Sequence, residues 1–273
     1  MQRKLTLRPR RGVGIAAAAA AMLGAVAPAA VAAPPRPAND PFYTYTGGTP
    51  LAQVSPGTVL STRTRPFRVA GIATPIRAVQ LLYRSTGQLG QPTTNVTSVL
   101  LPPVKPKVQR VFSYQSFYDS LNPDDQPSYA VSGGTTLGGA VNTVEVALFA
   151  PWLLQGYTVN LPDTQGQQAN FASGPEYGLN TLDSLRATFS SRVVNLPSGT
   201  KAGLFGYSGG AIATGWAAEL APSYAPDVDA RLVGAAMGGV LVSPANNLRY
   251  VEGSTIWAGV MPMAIIGASR AFG

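Results

Sequence analysis

Five consecutive residues, Gly206-Tyr207-Ser208-Gly209-Gly210, carry the sharpest chemical signal in this 273-residue chain. They match G-x-S-x-G, in which a serine sits on a strand-to-helix turn too tight for side chains two positions before and after it. Such a serine is a candidate nucleophile. The helix beginning just after it points its N-terminal dipole and free N–H groups at a developing oxyanion. Alone, the pentapeptide is a weak signal in a chain with 30 glycines. Its setting decides for the elbow over a plain Gly-Ser loop. Lys201-Ala202-Gly203-Leu204-Phe205 reads as the incoming strand, and Ala211-Ile212-Ala213 opens the outgoing helix.

A serine nucleophile needs a base to take its proton and an acid to orient that base. The sequence contains no histidine and no cysteine. That excludes a thiol nucleophile, a disulfide framework and a zinc–thiolate site, and it removes the commonest general base. No metal or cofactor is expected. After Ser208 the only carboxylates are Glu219, Asp227, Asp229 and Glu252. Asp163, just past a strand end, reads as structural.

The elements that would position Ser208 change rhythm along the chain. A Pro-rich arm, Pro34–Pro50, reads as an extended surface segment. β-type runs follow at Ala78–Arg84, Asn95–Leu101 and Val108–Ser113, the first two separated by turn residues Gly87–Pro92 as in a hairpin meander. Val144–Gln155 has helical spacing and Gly156–Leu161 is a short strand. A helix over Pro175–Arg192 places Leu179, Leu182, Leu185 and Phe189 on one face. Strand Lys201–Gly206, helix Gly210–Leu220, strand Arg231–Met237 and an apolar helical tail, Thr255–Arg270, complete the chain. Strands alternating with helices imply an α/β fold, a mostly parallel sheet covered on both faces. Trp152, Trp216 and Trp257 lie in apolar helical runs and are expected in the core. The tail could equally offer an acyl-chain or interface-binding surface. Asn95-Val96-Thr97 matches a glycosylation acceptor but lies in an expected strand and carries little weight.

Read as a whole, the chain resembles the secretory lipase family, the Candida antarctica lipase A-like members of the α/β-hydrolase superfamily. The residues that carry the resemblance run in order through the chain. They are Asp40-Pro41-Phe42-Tyr43, Ser55–Leu60, Tyr114–Ser120, Pro127-Ser128-Tyr129 and Leu161-Pro162-Asp163, then Gly174–Arg186, the elbow around Ser208, and Gly238-Gly239 with Pro244-Ala245-Asn246. The resemblance implies that Ser208 attacks an ester carbonyl, with the backbone N–H groups of Gly209 and Asp119 as the oxyanion hole. Asp119 follows an early strand, where the hydrolase fold expects its second donor. A turn-capping carboxylate is the alternative. The family places its triad acid and base further along than any carboxylate here. Asn246–Gly273 therefore resembles the opening of a helical cap, and the expected chain is C-terminally truncated within that cap. The family often carries a cysteine near the position of Asp125, so a local disulfide is not expected.

The amino terminus has three zones: a basic segment Met1–Arg11, an apolar run Gly12–Ala27, and small residues at Ala30-Val31-Ala32. This is the pattern of a secretory signal peptide cut after Ala32, with an uncleaved anchor as the alternative. The formal charge of +8 owes five positive charges to this stretch, and the rest of the chain holds fifteen basic and twelve acidic residues. Their scatter points to no nucleic-acid partner, and no integral membrane span is expected in the mature chain. The organisation expected is residues 1–32 signal peptide, 33–50 arm, 51–245 incomplete hydrolase core and 246–273 start of the cap. The function expected is a secreted lipase or esterase, taking triacylglycerol-type esters at a lipid–water interface and nearly inactive as this chain for want of a histidine. The alternative is a non-catalytic secreted remnant that binds lipid or partners through the same pocket.

Overall fold

The computed structural model describes residues 33–273; the expected signal segment, 1–32, lies outside them. Three antiparallel strands come first: β1 (Val59–Val69), β2 (Ile72–Thr86) and β3 (Pro92–Leu100). The β1–β2 hairpin closes through Ala70 and Gly71, with φ of 48° and 78°. Two positive φ values in a two-residue loop fit the turn whose twist matches paired strands.

Beyond the meander the chain alternates. It runs through β4 (Arg110–Gln115), α1 (Pro127–Val131), α2 (Ala140–Leu154), β5 (Thr158–Pro162), α3 (Gly174–Ser190) and β6 (Lys201–Tyr207). Then come α4 (Gly209–Tyr224), α5 (Pro226–Asp229), β7 (Leu232–Gly238), α6 (Pro244–Glu252) and α7 (Val260–Phe272). The seven strands form one sheet in the order β1-β2-β3-β5-β4-β6-β7. Strands β5, β4, β6 and β7 run parallel, because a helical crossover joins each to the next of them along the chain.

Alternate residues of β4 show how both faces are covered. Phe112 and Tyr114 pack with Phe149 and Leu153 of α2, whereas Val111 packs with Leu182 and Leu185 of α3 and Ala217 of α4. Period-two alternation therefore puts α2 on one face and α3 with α4 on the other. Helices α3 and α4 cross closely at Gly178, where a Cβ would lie 2.7 Å from the Trp216 carbonyl carbon. Among the described residues no helix is long and apolar enough to cross a membrane.

Several expectations shift. β1 had no sequence signal. The arm is not simply extended surface: it forms one-turn 3-10 helices at Pro37–Asn39 and Pro41–Tyr43. It is pinned by buried Tyr43, bonded to Ser128 Oγ at 2.9 Å, and by Asp40, paired with Arg63. The tail is helical only from Val260, with α6 added ahead of it. Trp257 lies in the turn between them and is 59% exposed, because no described element covers it. Trp152 stacks on Phe112 at 4.9 Å but its outer side is exposed, contrary to the core placement expected, whereas Trp216 packs over Gly174. Asn95 is buried, donating to Tyr83 Oη and the Asp163 carbonyl.

Candidate active site

Strand β6 ends at Tyr207 and α4 begins at Gly209, so Ser208 alone makes the turn. Its backbone lies at φ 53°, ψ −119°, a conformation that costs a residue with a Cβ about 1–3 kcal/mol and persists only when its surroundings dictate it. They do. The Ser208 N–H donates to the Gly238 carbonyl at 2.9 Å, and its own carbonyl accepts from Ala211 N–H at 2.9 Å. A Cβ on Gly206 would run into the Gly210 carbonyl, and one on Gly210 into the Gln115 carbonyl. Both expected elbow glycines are thus required by backbone contact. Ser208 is half-buried at the carboxyl ends of the parallel strands, the edge at which sheets of this kind bind ligands.

The loop leaving β4 brings Asp119 to the same place. Asp119 has φ 30°, and its Oδ1 sits where a Cβ on Gly209 would fall. Ser208, Gly209 and Asp119, 89 residues apart in the sequence at their nearest, are therefore neighbours. Oδ1 is shut off from solvent and has no hydrogen-bond partner. Burial, reinforced by the negative charge of Glu145, pushes the Asp119 carboxyl up to about 7; the nearby Gly209 and Asp119 amides offset only part of this. The Asp119 N–H faces Gln165. With its amide turned to satisfy both ends, Gln165 accepts from Asp119 N–H at 3.3 Å and donates to the Ser120 carbonyl at 2.6 Å.

Two groups behind the loop lacked an assigned role in the sequence. Glu145, a lone acid in the apolar run of α2, is buried and accepts from Tyr114 Oη at 2.8 Å, Ser116 Oγ at 2.5 Å and Phe117 N–H at 2.7 Å. Its position within an apolar helical stretch was the available signal. Gln165 had none. In front of the loop, Phe117 meets Tyr207 edge-to-face at 5.9 Å, and Tyr207 is half exposed.

Other acids have structural partners. Asp163 is fully buried and accepts from Ser128 N–H at 2.8 Å and Ser128 Oγ at 2.6 Å, which anchors the start of α1. Asp227 holds Arg186 at 2.7 Å, joining α5 to α3. Glu219, Asp229 and Glu252 are exposed on α4, α5 and α6. Asp125, where a cysteine would sit by resemblance, accepts from Ser120 Oγ at 2.6 Å, Gly139 N–H at 3.2 Å and Thr136 Oγ1. A hydrogen-bonded carboxylate holds together the loop after Asp119. α7 closes over the same loops, with Gly267 against the Phe171 backbone and Arg270 donating to the Leu121 carbonyl at 2.7 Å.

A family model described as secretory lipase matches residues 133–272. Lipase 4 of Candida albicans is 38% identical over 243 residues, which is 88% of this chain and 52% of that protein. A Mycobacterium tuberculosis protein named "Probable inactive lipase" is 36% identical over 235 residues, 85% of this chain and 51% of its own. The X-ray structure of Candida antarctica lipase A in its closed state superposes with a TM-score of 0.79 at 35% identity, covering 88% of this chain and 54% of that one. The chain spans about half the length of the curated relatives it matches.

Proposed function

Because this chain belongs to the secretory lipase family and has the α/β-hydrolase fold, we propose that it is built to hydrolyse carboxylic esters of the triacylglycerol type through a serine acyl-enzyme. Ser208 is the nucleophile, and the N–H groups of Gly209 and Asp119 receive the oxyanion. The observation that carries this reading is the strained Ser208 backbone at the β6–α4 turn, fixed by glycines that tolerate no side chain. For the Asp119 N–H to serve, it must exchange Gln165 for the substrate oxygen. The bond it gives up is long, and therefore weak. Export follows from the tripartite leader, with cleavage after Ala32, and the substrate lies at a lipid–water interface.

Chemistry stalls at proton transfer in the 273-residue polypeptide. It holds no histidine, and loss of a triad base costs on the order of 10⁶ in turnover while roughly 10³–10⁴ over water survives from binding and oxyanion stabilisation. The purified polypeptide is expected to turn over p-nitrophenyl esters orders of magnitude below lipase rates. A fluorophosphonate probe separates the readings. Slow, Ser208-dependent labelling supports a hydrolase site waiting for its base. Ordinary lipase turnover overturns the inactivity, and complete resistance to the probe favours the second reading, a non-catalytic lipid- or partner-binding protein. The relative named "Probable inactive lipase" speaks for that second reading.

A further inference from the structure

On the α2 face of the sheet, away from the elbow, lies a half-open cavity of about 170 Å³. Ser208, Gly209 and Asp119 do not line it. Its wall is apolar and comes from four elements: Phe67 of β1, Val131 of α1, Val146 and Phe149 of α2, and Leu161 of β5, all buried. Buried Glu145, Tyr114 and Ser116 also line it.

We propose that this cavity is a second binding site, for a neutral alcohol carrying one ring or a short alkyl chain. Size sets the first limit. An apolar cavity of about 150 Å³ in another protein stays dry and accepts a benzene ring, so one ring fits here and a long acyl chain does not. Water is a poor occupant, since it needs two to four polar partners, and most polar side chains around the cavity are already engaged. The Asn142 amide is bonded to the carbonyls of Asp125 and Gly139, and Thr136 Oγ1 is bonded to Asp125. Arg68 donates to the Gly71 carbonyl, and Thr135 and Thr143 lie at the exposed side; among the buried lining residues the exception is Glu145. Its Oε1 accepts from Tyr114 and Phe117, but Oε2 accepts only from Ser116, and a carboxylate has about four acceptor positions. A hydroxyl can donate to that free position, and it can accept instead if Glu145 is protonated. Buried Glu145 opposes a carboxylate ligand, and Arg68, the cation on the lining, is turned to the Gly71 carbonyl, so the site favours a neutral head.

The consequence reaches the catalytic side. Glu145 also holds the Phe117 N–H, at the root of the loop that carries Asp119. An alcohol bound to Glu145 therefore touches the same anchor that shapes the candidate oxyanion loop, from the opposite face of the sheet.

The test uses the whole 273-residue chain with benzyl alcohol, toluene and benzoate, read by ligand-observed NMR and by the shift in melting temperature. Benzyl alcohol is expected to bind at millimolar concentration, with toluene about fivefold weaker for want of one hydrogen bond and benzoate weaker still. Ala140 and Thr143 sit exposed on the rim, so Ala140→Trp and Thr143→Trp should fold normally and each abolish the signal. Benzyl alcohol binding that survives both substitutions, toluene binding as tightly as the alcohol, benzoate binding more tightly than either, or no binding at all would each overturn the proposal.

Discussion

Asp119 Oδ1 occupies the point at which a side chain on Gly209 would begin. The two segments that build the candidate oxyanion site are therefore fitted to each other at the level of a single methyl group. Alanine substitutions along the elbow should rank by what they strike. Gly210→Ala and Gly206→Ala collide with backbone carbonyls, at Gln115 and Gly210 respectively, and neither backbone can retreat without breaking the sheet–helix junction. Gly209→Ala meets a side chain that can swing away. Overpacking of this kind costs typically ~1–3 kcal/mol. Urea melts should find Gly206→Ala and Gly210→Ala at or above the top of that range and Gly209→Ala near the bottom. Gly209→Ala should nevertheless lose fluorophosphonate labelling, because Asp119 must leave its place. Equal destabilisation by all three would refute the contact-based ranking.

Burial pushes three carboxyls, Asp119, Glu145 and Asp163, each up to about 7. In the unfolded chain such groups titrate near ~4. Between those values the folded chain binds more protons than the unfolded one, so stability falls as pH rises from about 4 to about 7 and stays low above it. Asp227, held below its ordinary range first by its hydrogen bonds to Arg186, acts in the opposite sense and loses its contribution only in stronger acid. The melting temperature should be highest at mildly acidic pH and several degrees lower at pH 8. Glu145→Gln keeps an acceptor for Tyr114 and Phe117 and a donor for Ser116, so it should fold while flattening the pH slope only in part, since buried Asp183 and Glu176 are raised as well. A melting temperature that rises between pH 5 and pH 8 contradicts this account.

Asp125 joins Ser120, Thr136 and Gly139 through one carboxylate. Asp125→Ala strands those buried donors, and removing a charged acceptor of this kind costs about 2–4 kcal/mol, or roughly 5–10 °C in a chain of this size. Asp125→Asn keeps one acceptor oxygen and should recover much of the loss. Calorimetry that finds Asp125→Ala within a degree of the parent shows the loop is held by other contacts.

The parts of the fold that were legible in sequence are those where one physical signal dominates. The elbow is a backbone constraint written in glycines. The buried strands β4, β5 and β6 are apolar runs, and Leu182 and Leu185 mark the core face of α3 at helical spacing. β1 escaped notice because it is an edge strand whose exposed residues include Ser61, Thr62, Thr64 and Arg65. It also tolerates Pro66 without losing a needed ladder bond. Helix α1 is too short to show a period. The neighbourhood of Asp119 and Gly209 came from resemblance and not from spacing, since long-range contacts leave no local trace. Gln165 likewise reaches Asp119 from far along the chain. Trp257 misled because apolar composition was read as burial, and composition does not say what lies opposite.

β7 is the last strand of the sheet, and its free edge is long and apolar. Val233 is 71% exposed and Val242, just beyond the strand, 89%. On the following segment Tyr250, Ile256 and Trp257 are also exposed. Unpaired N–H and C=O groups beside apolar side chains are a template for pairing with another chain, and contiguous apolar surface drives the same association. The 273-residue polypeptide should therefore self-associate, with an apparent mass by light scattering that climbs with concentration. Val233→Lys places a charge on the strand, where it opposes edge-to-edge pairing, and Ile256→Lys interrupts the apolar surface. If β7 governs association, Val233→Lys alone should move the chain most of the way to monomer; if the helical segment does, Ile256→Lys should. A parent chain that remains a monomer with a cooperative melt at high micromolar concentration would show that this surface is covered in solution by some rearrangement of α6 and α7.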